Sequence, residues 1–255
     1  MKKHVAVLAR SVAALSLVFT AHGASAETII VSAAASLADA FKEIAAKFEA
    51  ANPGDTVQMN FGASGSLLQQ IEKGAPVDVF ASADEATMNR AEASDLVVKD
   101  TRRTFVKNTL VLIQPAAADN ALESLDALRA DSVQRIAVGN PESVPVGRYT
   151  KRSLEAAGQW DALQGKMILA QNVRQVLDYV ARGEVDAGFV YGTDAALMAD
   201  KVKVSYTVPV EQPVSYPIAV LKHGQDKPAS QRFVDLVLSE EGQAVLADFG
   251  FERAN

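Results

Sequence analysis

The 255-residue chain carries 31 Asp plus Glu against 25 Lys plus Arg, a formal charge of −6, with 49% hydrophobic residues and no cysteine. That apolar share is enough for a large core in one or two domains, and the missing cysteines exclude disulfides, thiolate metal sites, a cysteine nucleophile and any lipid attached through cysteine. The acidic balance, with no aromatic-rich basic stretch, excludes an electrostatic fit to nucleic acid.

The first 26 residues differ from the rest. Lys2, Lys3 and Arg10 precede and enter an apolar run, Ser11 to Thr20, and Ala24-Ser25-Ala26 supplies small residues at a cleavage spacing. The pattern reads as a secretory signal peptide cut after Ala26, since its apolar run is well short of the ~20 residues that cross a bilayer. The leader holds three of the 25 basic residues and no acidic one, so the remaining 229 residues carry 22 against 31, a net of −9. His4 and His22 leave with it, and His223 is then the single histidine, which removes most histidine-based acid/base schemes. Without a cysteine to lipidate, the mature chain is expected free in the periplasm.

Along the mature chain, strand-length runs alternate with helical patterns. Thr28 to Ser32 is the first strand; it runs through Ala33-Ala34-Ala35-Ser36 into an amphipathic helix with Leu37, Phe41, Ile44, Ala45 and Phe48 on one stripe. Ser36 stands where an N-cap would, and the alanines let a ligand approach the backbone; capping and anion contact are both open to it. Thr56 to Asn60 is the second strand, followed by Phe61-Gly62-Ala63-Ser64-Gly65-Ser66 and a helix from Leu67 to Glu72, a junction whose small residues free backbone N–H groups or simply cap the helix. Strands follow at Val77 to Ala81, Thr109 to Ile113 and Arg135 to Val138.

Gly139 to Gly147 then leads into a helix from Arg148 to Ala157, and Ala170-Gln171-Asn172-Val173 into another from Val173 to Arg182. Both junctions can present main-chain donors near Val146 and Val173. Ala187 to Tyr191 is a buried strand with a tyrosine at its carboxyl end, either a core residue with its hydroxyl at the rim or a ligand contact. Strands at Val202 to Val208 and Tyr216 to Leu221 precede a last helix, Gln231 to Phe249. This alternation predicts an α/β fold of largely parallel sheets, with ligands sought where strands end and helices begin.

Five segments in this order carry a resemblance: Ala33 to Leu37, Ile71-Glu72-x-Gly74-Ala75-Pro76-x-Asp78, Ala81-Ser82-Ala83-Asp84, Ala137-Val138-Gly139-x-Pro141-Glu142-x-Val144-Pro145, and Val190-Tyr191-Gly192-x-Asp194-Ala195. Together they resemble the periplasmic molybdate-binding proteins of ABC importers over essentially the whole mature chain. The resemblance implies a two-lobed periplasmic binding protein of type II, each lobe a mostly parallel sheet flanked by helices, with an oxyanion in the cleft and no cofactor, no catalytic residue and no free metal cation. It implies one lobe from residues 27–107 and 216–255 and the other from 108–215. Ser36 and Ser64 would contact molybdate or tungstate through hydroxyl and N–H, Val146 and Val173 through N–H, and Tyr191 through its hydroxyl. The family often has alanine where this chain has Val146, which bears on pocket size more than on a main-chain contact. The implied partner is a membrane permease, and the receptor is expected to be a monomer.

Molybdate is a full dianion at neutral pH, so its oxygens only accept hydrogen bonds and a pocket built of donors suits it. No Asp or Glu occupies a matched contact position, whereas hydrogen phosphate would benefit from one. A sulfate or thiosulfate receptor is the alternative within the class. A secreted serine hydrolase using Ser64 is the alternative outside it, but Gly62-Ala63-Ser64-Gly65-Ser66 ends in Ser66 where a nucleophile elbow has glycine, and no His/Asp context accompanies it.

Overall fold

The computed structural model describes residues 26–254. The leader read from residues 1–26 therefore lies, apart from Ala26, outside the described residues.

The chain opens with β1 (Thr28–Ala34), buried from Val31 onward, and passes through a 3-10 turn (Ala35–Leu37) into α1 (Ala38–Ala51). The α1 stripe of Ala40, Phe41, Ile44, Ala45 and Phe48 is buried as its spacing requires. β2 (Thr56–Gly62), α2 (Ser64–Glu72), β3 (Val79–Ala81), α3 (Glu85–Ala93) and β4 (Arg103–Asn108) follow. The chain then crosses to a second sheet with β5 (Leu110–Pro115), β6 (Ile136–Gly139), α4 (Pro145–Ala156), α5 (Trp160–Leu163), β7 (Met167–Ala170), α6 (Val173–Ala181), β8 (Ala187–Tyr191), α7 (Gly192–Leu197) and β9 (Val202–Thr207). It returns as β10 (Val214–Val220), α8 (Pro228–Leu238), α9 (Glu240–Asp248) and β11 (Glu252–Arg253).

Two helix-flanked sheets result, ordered β11-β4-β10-β3-β1-β2 and β7-β6-β8-β5-β9, which is the two-lobed architecture the resemblance implies. Their cores are parallel: β1 pairs with β2 and β3, and β6 with β7 and β8. The strands that carry the chain across, β4, β5 and β10, pair antiparallel with their neighbours, as do β9 and β11. Both sheets are therefore mixed, because crossing strands enter without the helical crossover that a parallel neighbour needs.

β4 has no strand-length apolar run; only Phe105 and Val106 are buried, and the strand exists because β10 and β11 bracket it. The single helix expected from Gln231 to Phe249 is two. Ser239 is extended between them, its Oγ donating to the Leu236 carbonyl at 2.7 Å and accepting from Gly242 N at 3.2 Å. A side chain at Gly242 would overlap the Leu236 carbonyl, so the tight corner requires glycine there. A serine N-cap followed by Glu240 and Glu241 in the first turn is the start signal for α9.

Phe233 of α8 packs edge-on against Phe48 and Phe41 of α1, with ring centroids 5.6 and 6.1 Å apart, and is fully buried. Phe233→Ala should lower the unfolding free energy by about 3 to 5 kcal/mol, read from chemical denaturation.

Candidate functional site

The carboxyl ends of β1, β2 and β8 and the amino ends of α2, α4 and α6 converge on one small cavity. Ser36, Ser64, Val146, Val173 and Tyr191 all line it, so the structure brings the five expected positions to one wall from both lobes. Ala34, Ala35, Gly62, Ala63 and Ala83 complete the first lobe's share, and Val144, Pro145 and Asn172 the second's. None of these lining residues is charged.

Ser36 does not cap α1. The intervening 3-10 turn puts Leu37 in the cap position, and no side chain caps the helix. The Ser36 hydroxyl turns inward, 3.0 Å from the Tyr216 hydroxyl. Ser64, fully buried, is the first residue of α2 and does not cap it either; its Oγ accepts the Ala83 N–H at 3.0 Å.

Val146 is the second residue of α4 and Val173 the first of α6, so helix geometry leaves their N–H groups without intrahelical acceptors. Pro145 suits the first position of α4 because it has no N–H to satisfy. Asn172 caps α6 by accepting from Gln175 N at 3.0 Å, which fixes the turn that presents Val173. Tyr191 closes β8; it is 1% exposed, and its hydroxyl has no hydrogen-bond partner among the described residues. Burial pushes its phenol well above the usual range, so the hydroxyl keeps its proton and remains a donor.

The wall therefore offers three hydroxyls, backbone N–H groups and the positive ends of several helices, and no carboxylate. Such a set suits an anion whose oxygens carry no proton. The one histidine among the described residues lies elsewhere: His223 Nδ1 is 2.8 Å from Asp78 Oδ1, just ahead of β3, and Ser64 has the Ala83 amide as its neighbour.

Contacts across the cleft hold the lobes together around this cavity. Gly65 N donates to the Ser143 carbonyl at 2.9 Å, and a Cβ at Gly65 would stand 2.5 Å from that oxygen, so glycine is what permits the approach. Arg148 of α4 donates through Nε to Asp84 Oδ2 and through Nη2 to Thr87 Oγ1, both at 2.7 Å. Arg174 of α6 reaches Asp39 of α1 at 2.9 Å and, within its own lobe, Asp194 at 2.6 Å. Reading the sequence singled out neither arginine, because a charge on an amphipathic helix looks like solvated surface; Asp84 and Asp194 fall within quoted motifs but without a role.

A family model for bacterial extracellular solute-binding proteins matches residues 29–252. The molybdate-binding protein ModA of Escherichia coli is 36% identical over 229 residues, covering 88% of this chain and 88% of that protein. Two solved structures share the fold at a TM-score of 0.78: the periplasmic molybdate-binding protein of Azotobacter vinelandii, 24% identical over 88% of this chain and 98% of that one, and the sulfate-binding protein SubI of Mycobacterium tuberculosis, 17% identical over 90% and 88%. A fold shared to the same degree with receptors named for different oxyanions leaves the choice of ligand to the side chains.

Asp194 is fully buried, with Oδ2 unpaired among the described residues. Burial pushes its carboxyl up from 3.8 to about 6, against the opposing pull of Arg174. Between those values the folded state holds a proton that the unfolded chain has released, so this group's contribution to stability is full below about pH 4 and falls as pH rises toward about 6. Asp194→Asn should remove that fall. The melting temperature of the parent relative to the variant should decline across that interval, and a difference that stays flat would contradict the assignment.

Proposed function

Because the chain belongs to the bacterial extracellular solute-binding protein family, we propose that it is a periplasmic receptor that binds molybdate and delivers it to the membrane permease of an ABC importer. The observation that carries this reading is the uncharged cavity without a carboxylate, above all the buried Tyr191 hydroxyl left without a partner among the described residues. A buried donor without an acceptor costs about 1–3 kcal/mol, which an oxyanion seated against it would recover.

On this reading Ser36 and Ser64 contact the ligand through hydroxyl and N–H, Val146 and Val173 through N–H, and Tyr191 through its hydroxyl. Each hydrogen bond to a charged group contributes about 1.5–3 kcal/mol, so five to seven offset the ligand's desolvation and leave the roughly 10 kcal/mol of a tight receptor. Tungstate, of the same charge and shape, binds the same groups. Residues 27–107 with 216–255 form one lobe and 108–215 the other, and they open about the two crossing segments. The leader is removed after Ala26, and the mature chain works in the periplasm as a monomer that carries its ligand without chemical change.

Sulfate shares the dianionic charge and the tetrahedral shape, so competition decides between the two. In calorimetric titration of the mature protein, molybdate and tungstate should outcompete sulfate, and molybdate should raise the melting temperature by an amount that grows with the logarithm of its affinity. Ser36→Ala and Tyr191→Phe should each weaken molybdate binding by about tenfold or more, with little loss of fold. Ser64→Asp should nearly abolish it by setting a carboxylate against the dianion. A preference for sulfate would overturn the choice of ligand, and unchanged affinity in all three variants would overturn the site.

A further inference from the structure

We propose that Tyr216 and Asn108, which do not line the cavity, are positioning residues that force the Ser36 hydroxyl to donate toward the ligand. The inference rests on the receptor reading above and concerns how its polarity is set.

The chain of hydrogen bonds begins at Asn108, the last residue of β4, where the chain first crosses between lobes. Its Oδ1 accepts the Thr109 N–H at 2.9 Å, and this bond fixes which way the amide faces. The Nδ2 group then faces the Thr193 hydroxyl at 2.9 Å and the Tyr216 hydroxyl at 3.4 Å. An amide nitrogen only donates, so Tyr216 accepts from it.

Tyr216 lies on β10, where the chain has just crossed back, and is fully buried. Among the described residues its hydroxyl has two partners, Asn108 Nδ2 and Ser36 Oγ. If Ser36 donated to Tyr216, the phenolic proton would be left without an acceptor in a buried site, at the cost of an unmade hydrogen bond. Tyr216 therefore donates to Ser36 Oγ. The serine's own proton must point elsewhere, and Ser36 lies on the cavity wall. Burial pushes the Tyr216 phenol well above its usual range, so the proton on which the relay depends is always present.

Ser64 obeys the same rule by another route, because its Oγ accepts the Ala83 N–H at 3.0 Å. Both serines thus already accept one hydrogen bond from the protein, and each keeps its own proton for the cavity. A tetrahedral anion that still carries a proton, such as hydrogen phosphate, would have to place it on the remaining lone pair of a serine that already accepts one bond, and no lining carboxylate takes it instead. Breaking the relay at Tyr216 would let Ser36 rotate and accept, so the same change that weakens molybdate should relax the rejection of hydrogen phosphate.

The test is a double-mutant cycle on the mature full-length protein, with molybdate binding measured by calorimetry. Tyr216→Phe, which preserves volume, should weaken binding by about tenfold, the effect of one charge-assisted hydrogen bond. In a Ser36→Ala background the same substitution should change affinity by less than about twofold, because the group it orients is gone. The ratio of molybdate to inorganic phosphate affinity should fall in Tyr216→Phe and stay put in the Ser36→Ala pair. Should Tyr216→Phe fail to fold, Asn108→Ala in both backgrounds carries the same comparison, with a loss expected only where Ser36 is present. Equal losses in the two backgrounds would make Tyr216 merely structural and overturn the inference while leaving the receptor reading intact. No molybdate binding by the parent protein would overturn both.

Discussion

An unpaired hydrogen-bond donor inside a protein costs about 1–3 kcal/mol, and this fold concentrates several around one cavity. The Tyr191 hydroxyl is buried without a partner, and the Val146 and Val173 N–H groups sit in first turns where helix geometry supplies no acceptor. The surrounding structure keeps these groups from finding protein partners. The alanines of Ala33-Ala34-Ala35 and Ala63 have no polar atoms beyond the backbone with which to compete. The hydroxyls of Ser36 and Ser64, which could have turned back to cap helices, are engaged by Tyr216 and the Ala83 amide. The result is a site defined by which way its protons point.

The two arginines across the cleft belong to the helices that supply the donors. Arg148 lies two residues after Val146 on α4, and Arg174 directly follows Val173 on α6. Each reaches an aspartate of the other lobe, Asp84 and Asp39 respectively. Clamping α4 and α6 to the first lobe therefore places their N-termini opposite Ser36 and Ser64. The buried Asp194 strengthens the hold on Arg174 from within the second lobe, at the expense of leaving one carboxylate oxygen unpaired. Gly65 lets the α2 backbone meet the Ser143 carbonyl, so closure is fixed by main chain as well as by charge.

Much of this was legible in the sequence, and the limits have physical causes. The central strands and α1, α2, α4 and α6 follow from periodicity because their burial is strong and regular. The small-residue junctions before helices pointed to the loops, and the resemblance to the five positions, that the structure brings to one wall. β4 was not legible, since two adjacent buried residues make no alternating pattern and its stability comes from β10 and β11. α3 was missed because only Thr87, Met88 and Ala91 are buried along it, although Asp84 ahead of it is an ordinary cap that accepts from Thr87 N. The roles of Asn108 and Tyr216 were out of reach for a different reason. They depend on the two crossing segments bringing residues 108 positions apart to within a hydrogen bond, and no local spacing encodes that.

Dividing the donors between lobes also explains why a receptor would use neutral groups in place of a lysine or arginine. A fixed charge on one lobe would hold an anion whether the cleft were open or shut, through a field that reaches about a Debye length of 8–10 Å. Hydroxyls and amides act only at contact distance. On the proposed reading, with Ser36 and Ser64 on one side and Val146, Val173 and Tyr191 on the other, opening the cleft removes either share of the contacts at once. At roughly 1.5–3 kcal/mol for each hydrogen bond to a charged group, losing two or three of them lowers affinity by several powers of ten. On that reading, tight binding in the closed state and release on opening follow from the same set of short-range donors, and a permease would have only to separate the lobes to free the ligand.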